Sequence, residues 1–442
     1  MHLVRLLVIS ALIGLTLSSP ARALTLLRDP DIEYALKQLS APLLKAAGLS
    51  PTRVDILLID DRSLNAFVVD REHIFIHSGL LLKMDNAAML QAVIAHEAAH
   101  IANGHLTRRT LNMRTARTAA GLGAALAAAA AIAAGAGEAA GAAAIGATNS
   151  AMRMFMSHTR AEENAADQSG LRFMANAGID PQGAVAVMDI FRGQEALSRY
   201  RQDPYARTHP LSADRFRVVR RLADAYADKA RPQPDHDYWF ARAKGKLSAF
   251  QRSPKWTLTR AGESGYADIK LMRQAVAHHR RSQTSKAIRA MDQAIAQRPN
   301  DPFLLELKGQ ILMESRNFAA ATNAYGRAVN IAPNNALILG SYGRALMAQG
   351  QSGKAQQYLE KARSLDGRDA RVMRDLAATY AKQGNKGMAS LVTSERYAMM
   401  GRLEDAGLHA QRASDLLPRG STGWRRAQDV LSAAKAAEKK RR

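Results

Sequence analysis

The residues best suited to chemistry in this chain lie in one pentapeptide, His96-Glu97-Ala98-Ala99-His100. On an α-helix of 3.6 residues per turn, the side chains of His96 and His100 project about 40° apart, so both imidazoles can reach one metal ion. Glu97 lies beside them and can accept a proton from water instead of binding the metal. The pattern therefore predicts a zinc site with an adjacent general base.

Two histidines leave a catalytic zinc ion one protein ligand short. The chain has no cysteine, so the third ligand must be a histidine or a carboxylate. Glu162, Glu163 and Asp167 are the candidates on one predicted helix. Glu163 and Asp167 are four residues apart and share a face, so one can bind the metal while the other fixes an imidazole. His105 lies about 140° further round the helix than His100, which predicts a capping or supporting role for it.

A helix over residues 86–105 and a small sheet just before it are expected to position these groups. Residues 54–59, 64–69 and 73–77 are β-rich, and the last two are expected to form a hairpin. We expect Ile74 to His77 to be an edge strand that holds an extended substrate, with a plain structural hairpin as the alternative. Two weaker expectations are a helix from Asp31 to Ala47 that kinks or breaks at Pro42, and a loop from Arg201 to His209.

Residues 1–23 have the composition of a cleavable signal peptide, with a basic start, an apolar run and Ala21-Arg22-Ala23 at its end. A membrane anchor is the alternative. The predicted catalytic domain covers 24–229 and contains an Ala/Gly-rich insert at 118–148, expected to be a helical hairpin. That insert either packs on the domain or forms a lid over the cleft or on a membrane surface, and a membrane span is the third alternative.

The second half of the chain repeats. Pro299 and Pro333 are 34 residues apart, as are Gly309 and Gly343, and 34 residues is the tetratricopeptide period. We predict a linker with a connecting helix at 230–264 and a repeat domain at 265–442, with a helical bundle without repeats as the alternative. Such a solenoid offers a concave surface to other proteins.

Three spaced groups of residues together resemble the M48 family of peptidases in its exported form with tetratricopeptide repeats. They are His96-Glu97-x-x-His100 with His105, then Thr159-Arg160-x-x-Glu163-x-x-Ala166-Asp167, then Thr208-His209-Pro210-Leu211-x-x-x-Arg215. The resemblance implies an α+β zincin-like (gluzincin) metallopeptidase domain, mostly helical with a small sheet, followed by an all-α tetratricopeptide-repeat solenoid.

The resemblance also implies one Zn²⁺ per chain, held by His96, His100 and Glu163, with Glu97 as the general base and Asp167 supporting a ligand. Thr159 stands where the family usually has serine and keeps the hydroxyl. His158 is an additional imidazole to which neither the pattern nor the resemblance gives a role.

By the same resemblance, the loop of His209 and Pro210 lies close to the metal. His209 then either stabilises the oxyanion or occupies the open coordination position as a shut-off ligand. The plainer alternative is that His209 only anchors its loop through a hydrogen bond.

The expected function is that of a zinc-dependent endopeptidase of the Gram-negative periplasm. It would hydrolyse misfolded or stalled outer-membrane proteins, with the repeats recruiting clients or the assembly machinery. The alternative is a periplasmic chaperone or scaffold with a structural or latent metal site. The net charge of +23 fits peripheral contact with an anionic outer membrane. A nucleic-acid partner is not expected, because the basic residues are scattered and the chain carries an export signal.

Overall fold

The computed structural model describes residues 25–108, 159–198 and 201–441. The predicted signal peptide, the Ala/Gly-rich insert and His158 lie outside the described residues. Within those ranges, no helix is long and apolar enough to cross a membrane.

One four-stranded sheet and a set of helices make up the first half. In chain order the elements are β1 (Leu26–Leu27), α1 (Pro30–Ala46), β2 (Asp55–Ile59), β3 (Ala66–Val68), β4 (His73–His77), α2 (Ser78–Lys83), α3 (Ala87–Ala102), α4 (Arg160–Asn176), α5 (Gln182–Ile190), α6 (Pro204–Thr208), α7 (Ala213–Ala225) and α8 (Pro234–Gln251).

The strand order in the sheet is β1-β2-β4-β3. Strands β3 and β4 pair antiparallel through Phe67 and Phe75, which confirms the predicted hairpin. However, β4 also pairs in parallel with β2, from Asp55↔His73 to Ile59↔His77. The expectation that Ile74 to His77 forms the edge is therefore wrong. The β-branched, apolar β4 is a central strand, and the edge on this side of the sheet is its shorter partner β3.

The expected loop before His209 is also wrong, and of the two outcomes expected at Pro42, a kink or a break, the break is wrong. Helix α1 runs through Pro42 without ending. Pro204 does not block regular structure, because it is the first residue of the short helix α6. Proline is well tolerated at that position, where its missing N–H group has no intrahelical partner to lose.

The second half is a succession of helices. They are α9 (Pro254–Thr259), α10 (Ala267–His279), α11 (Thr284–Gln297), α12 (Pro302–Glu314), α13 (Phe318–Ile331), α14 (Ala336–Ala348), α15 (Ser352–Leu365), α16 (Ala370–Lys382), α17 (Lys386–Met399), α18 (Leu403–Leu416) and α19 (Thr422–Arg441). The alternate helices α11, α13, α15 and α17 begin 34 residues apart, which is the period predicted from the sequence.

The repeated glycines have a packing role in this array. A Cβ atom on Gly309 would lie 2.7 Å from the ring of Tyr325, and one on Gly343 would lie 2.6 Å from Leu359. Both glycines therefore let the paired helices of their repeats approach closely.

Helix α8 belongs to both halves of the molecule. Phe240 and Leu247 enter the core around α1 and α3, whereas Tyr238 and Ala249 enter the core of the repeats. Between these two sets of apolar side chains, the buried Arg242 forms ion pairs on both sides of the helix.

Candidate metal centre

Helix α3 places the two histidines of the pentapeptide side by side. The Asn86 side chain accepts a hydrogen bond from the Met89 amide at 2.9 Å and caps the helix. Every side chain from Met89 to Ile101 is buried, because α3 runs through the middle of the core. The Nε2 atoms of His96 and His100 are consequently held 3.1 Å apart.

Helix α4 brings Glu163 to these imidazoles by packing closely on α3. A Cβ on Gly170 would lie 3.3 Å from the backbone of Ala95, so the glycine permits the close approach. The buried Glu163 carboxylate then reaches both rings. Its Oε2 is 3.4 Å from His96 Nε2, and its Oε1 is 3.4 Å from His100 Nε2.

The structure separates the three carboxylates that the spacing left as candidates. Glu162 reaches back to the amide of Thr159 at 3.1 Å and completes a capping box at the start of α4. Asp167 lies on the other side of His96, with its Oδ1 3.0 Å from Nδ1. Glu163 alone of these three faces the Nε2 atoms of both histidines.

His209 closes the remaining side of the cluster. Its amide donates to the Tyr205 carbonyl at 2.8 Å, and its ring packs on the Tyr205 ring with a centroid distance of 4.5 Å. The His209 Nδ1 atom lies 3.2 Å from His96 Nε2 and 3.1 Å from Glu163 Oε1. Both functional roles considered for His209 require this proximity.

The four donor groups fit one metal ion. One ligand atom each from His96, His100, Glu163 and His209 lies within 4.8 Å of all the others. The distances given above are 3.1–3.4 Å, close to the edge of about 3.3 Å of a tetrahedron with ligands about 2.0–2.1 Å from its centre. Asp167 accepts from His96 Nδ1, which leaves the lone pair of Nε2 facing the cluster.

Asp167 is itself held by Arg215, at the start of α7. The guanidinium donates to Asp167 through Nε at 2.8 Å and Nη2 at 2.9 Å. Its Nη1 lies 2.9 Å from Glu163 Oε2 and donates to the Pro210 carbonyl at 2.7 Å. One buried arginine therefore orients two carboxylates of the site and the loop that carries His209.

The pKa values in the cluster depend on two opposing effects, which are burial of the groups and their interactions with neighbouring charges. Burial disfavours the charged form of His96, but its hydrogen bonds with Asp167 and Glu163 outweigh burial and raise its pKa to about 10. Burial, together with the charge on His96, lowers the pKa of His100 well below its ordinary value. Burial would raise the pKa of Glu163, yet the surrounding histidines hold it well below the usual range. The cluster thus keeps Glu163 anionic, and a proton competes with a cation for His96.

Glu97 and His105 lie next to the four donors. The Glu97 carboxylate is fully buried, and its Oε1 is 3.4 Å from His209 Nε2. Helix α3 ends at Ala102, and Gly104 has a positive φ of 69°, which turns the chain back. His105 is thereby buried with its Nδ1 2.9 Å from His100 Nδ1, so it contacts a donor histidine and not the centre of the cluster.

Tyr205 and Arg215 were not assigned roles from the sequence. Arg215 could have been recognised as the counter-charge that two buried carboxylates on one helix face require. Tyr205 carries no such signal, because its place under the His209 ring depends on the fold of helix α6.

Two models of known protein families match the sequence of this chain. Residues 28–223 match the sequence model of peptidase family M48, and residues 312–372 match a tetratricopeptide repeat model. The chain has a family M48 peptidase domain. All four donors and Glu97 lie inside the M48 match, and the 34-residue helix spacing lies in the repeat region. The α+β domain followed by all-helical repeats agrees with the predicted fold class.

Curated relatives match 45–67% of this chain. The beta-barrel assembly-enhancing protease of Escherichia coli (strain K12) is 27% identical over 225 residues, 50% of this chain and 44% of the relative. The protein of the same name from Yersinia pestis is 25% identical over 306 residues, 67% of this chain and 61% of the relative. The mitochondrial metalloendopeptidase OMA1 of Schizosaccharomyces pombe is 27% identical over 203 residues, 45% and 55% respectively. The chain thus spans between about two-fifths and three-fifths of their lengths.

Solved structures match about two-fifths of the chain with low TM-scores. MamA from Desulfovibrio magneticus RS-1 gives a TM-score of 0.31 at 19% identity, covering 37% of this chain and 93% of that chain. A thermophilic repeat protein of Thermus thermophilus gives 0.27 at 18% identity, covering 37% and 99%.

Proposed function

We propose that this chain is a zinc-dependent endopeptidase. The observation that carries the proposal is the convergence of His96, His100, Glu163 and His209 on one point, with the buried Glu97 against it. A zinc ion held there would supply an activated water and polarise a peptide carbonyl. A single ion per chain fits the one such donor group within the described ranges.

The protein's own residues divide the work of hydrolysis. Glu97 takes the proton from the attacking water and passes it to the leaving amine. Asp167 and Arg215 hold His96 and Glu163 in their ligating orientation. Strand β3 is an edge of the sheet, so its outer backbone groups can pair with an extended peptide.

The geometry favours the shut-off role for His209. Its Nδ1 completes the tetrahedron of donors, and a closed tetrahedral site leaves no position for water or substrate. The cavity beside the cluster supports this closed form. Formed by described residues that include His96 and Tyr205, it measures only about 40 Å³, too little for a peptide. In this proposal, the His209 loop moves before a substrate binds.

We propose misfolded or stalled outer-membrane proteins as the substrates and the Gram-negative periplasm as the location. The support is the export signal expected in residues 1–23 and the name of the beta-barrel assembly-enhancing proteases, to which the chain is 25–27% identical over 225–306 residues. The repeats would recruit clients or the assembly machinery and raise the local concentration at the cleft. The excess of positive charge, +23, supports peripheral contact with an anionic outer membrane.

Replacing Glu97 by glutamine tests the proposed chemistry. Glu97→Gln should keep one zinc ion per chain, measured by metal analysis, and lose cleavage of an unfolded reporter protein by about 10²–10⁴-fold, because the proton acceptor is gone. The exposed Glu72→Gln is the control and should cleave normally. Persistent proteolysis by purified Glu97→Gln would refute the assignment.

The same variant can identify substrates. Expressed in the native envelope, Glu97→Gln should retain bound clients that the unaltered chain releases after cleavage. The competing function, a chaperone or scaffold acting through the repeats, predicts instead that the zinc-loaded parent protein suppresses aggregation of unfolded clients without cutting them.

A further inference from the structure

A further pocket, lined by polar and apolar side chains, lies at the start of α3, the helix that carries His96 and His100. Its volume is about 540 Å³, and it is enclosed by the end of α2, the start of α3 and helices α8, α9 and α10. The side chain of Trp256 forms part of its lining. We call it the Trp256 pocket, and none of the four donor residues lines it.

Three guanidinium groups converge on the indole of this pocket. The Cζ atoms of Arg252, Arg260 and Arg273 lie 5.8, 5.3 and 5.8 Å from the ring centroid of Trp256. Arg260 is paired with Glu263 at 3.2 Å. Among the described residues, neither Arg252 nor Arg273 has a carboxylate within 4 Å. Positive charges held this close together repel one another and raise the free energy of the folded protein, unless an anion binds between the guanidinium groups.

The pocket also contains two buried donors without an acceptor among the described residues. They are Nε of Arg273 and the hydroxyl of Ser264. Arg273 is only 4% exposed, and its Nη1 is occupied with the Arg260 and Ala261 carbonyls at 2.6 and 3.3 Å. Buried donors are normally satisfied, and both residues line the pocket, so a ligand there has two donors that lack an acceptor.

A fourth cation, Lys244, lines the same pocket. Its ammonium donates to the Met84 carbonyl and has no carboxylate within 4 Å among the described residues. Burial lowers the pKa of both Lys244 and Arg273 and outweighs the attraction of Glu263, which acts on both groups. Asp85 also attracts Lys244, and Arg260 repels Arg273. The carboxylates that line the pocket belong to exposed residues, where water screens them: Asp85, Asp237 and Glu263.

We propose that the Trp256 pocket binds a phosphate monoester. The phosphate oxygens accept from Arg252, Arg273 and Ser264, and the organic part lies against the indole. A phosphate monoester carries a charge of about −1.5 to −2 at neutral pH, which matches the unpaired cations better than the single charge of a carboxylate does. Guanidinium groups bind such oxyanions through paired hydrogen bonds. The volume exceeds that of a bare phosphate, which leaves room for an organic portion.

This position connects the pocket to the metal-binding helix. Asn86, the N-cap of α3, also lines the pocket, so the ligand lies at the positive end of that helix dipole. The ligand site is thus separate from the metal centre but contacts the element that carries His96 and His100.

Calorimetric titration of the full-length protein with glycerol 3-phosphate at ~150 mM salt tests the proposal. We expect one site per chain, and Arg252→Gln should weaken binding about tenfold or more through loss of one charged hydrogen-bond donor. Arg252 is exposed, so this substitution should leave folding intact. The equally exposed Arg289→Gln, which lies outside the pocket, is the matched control and should bind like the parent.

Arg273→Gln should weaken binding at least as much as Arg252→Gln, and circular dichroism checks its fold because Arg273 also holds the end of α9. Absence of binding by both glycerol 3-phosphate and phosphatidic-acid vesicles would overturn the proposal. Equal affinity for acetate, or equal affinity in the Arg252→Gln and Arg289→Gln proteins, would also overturn it.

A second arm separates a free phosphate ester from one carried by a lipid. Vesicles containing phosphatidic acid are sedimented with the protein, with and without glycerol 3-phosphate as competitor. Vesicle binding that Arg252→Gln weakens and the competitor displaces assigns a lipid source to the same pocket. Binding to glycerol 3-phosphate alone assigns a free ester. If vesicle binding depends on salt but is the same in the Arg252→Gln variant and the parent, the lipid binds elsewhere and the proposal for the Trp256 pocket is contradicted.

Discussion

The metal centre depends on side chains that do not face its centre. Asp167 contacts His96 through Nδ1, and Arg215 contacts both Asp167 and Glu163. Each contact fixes the direction in which a donor atom points. In a buried cluster such orientation matters, because a misdirected carboxylate or imidazole has no water to satisfy it.

Asp167→Asn tests this support. Asparagine keeps the size of the side chain but loses the charge that pairs with Arg215, so metal affinity should fall about 10–100-fold. Competition with a chromophoric chelator measures it. Asp214→Asn, which changes an exposed carboxylate paired with Arg217, should leave the affinity unchanged, and an unaltered affinity in Asp167→Asn would contradict the role.

His209→Ala tests the shut-off role. Removing the fourth donor opens a coordination position, so cleavage of the unfolded reporter should become faster, by about tenfold if closure costs about 1.4 kcal/mol. A large loss of activity would instead assign oxyanion stabilisation to His209. Unchanged activity would leave only the anchoring of the loop.

At the scale of elements, the site requires helices to pack closely on α3. Gly170 lets α4 approach the backbone near Ala95, and Gly183 does the same for α5. A Cβ on Gly183 would lie 2.5 Å from the backbone of Ala88. No real Cβ contact is so short, and the opposing atoms are backbone, which cannot rotate away. The positions of Glu163 and the histidines therefore depend on two glycines that carry no chemistry.

Gly183→Ala should destabilise the protein by about 1–3 kcal/mol, because α5 must move away from α3. Denaturant unfolding monitored by circular dichroism measures the change. Gly353→Ala is the matched control, since a Cβ there meets nothing within 4 Å. That substitution should be neutral or stabilise by up to about 1 kcal/mol. Equal effects of the two substitutions would show that the close approach of α5 to α3 does not make Gly183 necessary for stability.

At the scale of the whole molecule, α8 joins the two halves through buried charge. The Arg242 Nε atom lies 2.7 Å from Asp31 in α1, and its Nη1 pairs with Asp301 at the start of α12. Lys246 lies 2.9 Å from Asp29. Removing one partner of a buried ion pair leaves the other charge unpaired, and the loss of stability then exceeds the stabilisation that the intact pair provides. These contacts fix how the first repeats are attached to the M48 domain.

Glu306, buried in α12 next to this charge cluster, makes the attachment sensitive to pH. Burial, with Asp29 and Asp31 nearby, raises its pKa to about 7 despite the proximity of Lys246. The folded protein then binds more protons than the unfolded chain between about pH 4.5 and 7. The contribution of Glu306 to the free energy of unfolding is therefore fully present below about pH 4.5 and is lost as the pH rises through 7.

Glu306→Gln should remove that loss. The variant should be more stable than the parent at pH 8, by on the order of 3 kcal/mol, and the difference should shrink towards pH 4.5. Thermal unfolding across this range measures it. Glu404→Gln, an exposed control, should follow the parent, and a pH-independent difference for Glu306→Gln would contradict the raised pKa.

Patterns among residues close in the sequence were sufficient to predict a large part of the structure. The spacing of His96 and His100 on a helix, the hairpin of β3 and β4, and the 34-residue repeat all depend on residues close in the chain. The M48 domain, the repeats and the fold class were predicted correctly for that reason. The domain boundaries, the signal peptide and the roles of the site residues stay predictions, and His158 has no predicted role.

Tertiary structure decided the features in which distant segments meet. The sequence predicted the wrong edge strand, because the parallel pairing of β4 with β2 involves residues separated by a third strand. Spacing alone also left Glu163 and Asp167 undistinguished, and the resemblance to a family was needed to assign Glu163 as the ligand. The packing of α4 on α3 shows which of the two carboxylates faces both Nε2 atoms. The convergence of arginines on Trp256 has no local signature either. The sequence by itself determined which residues can bind a metal. Only the packing of helices from distant parts of the chain decided which atoms face one another, because those distances are set by core contacts and not by spacing along the backbone.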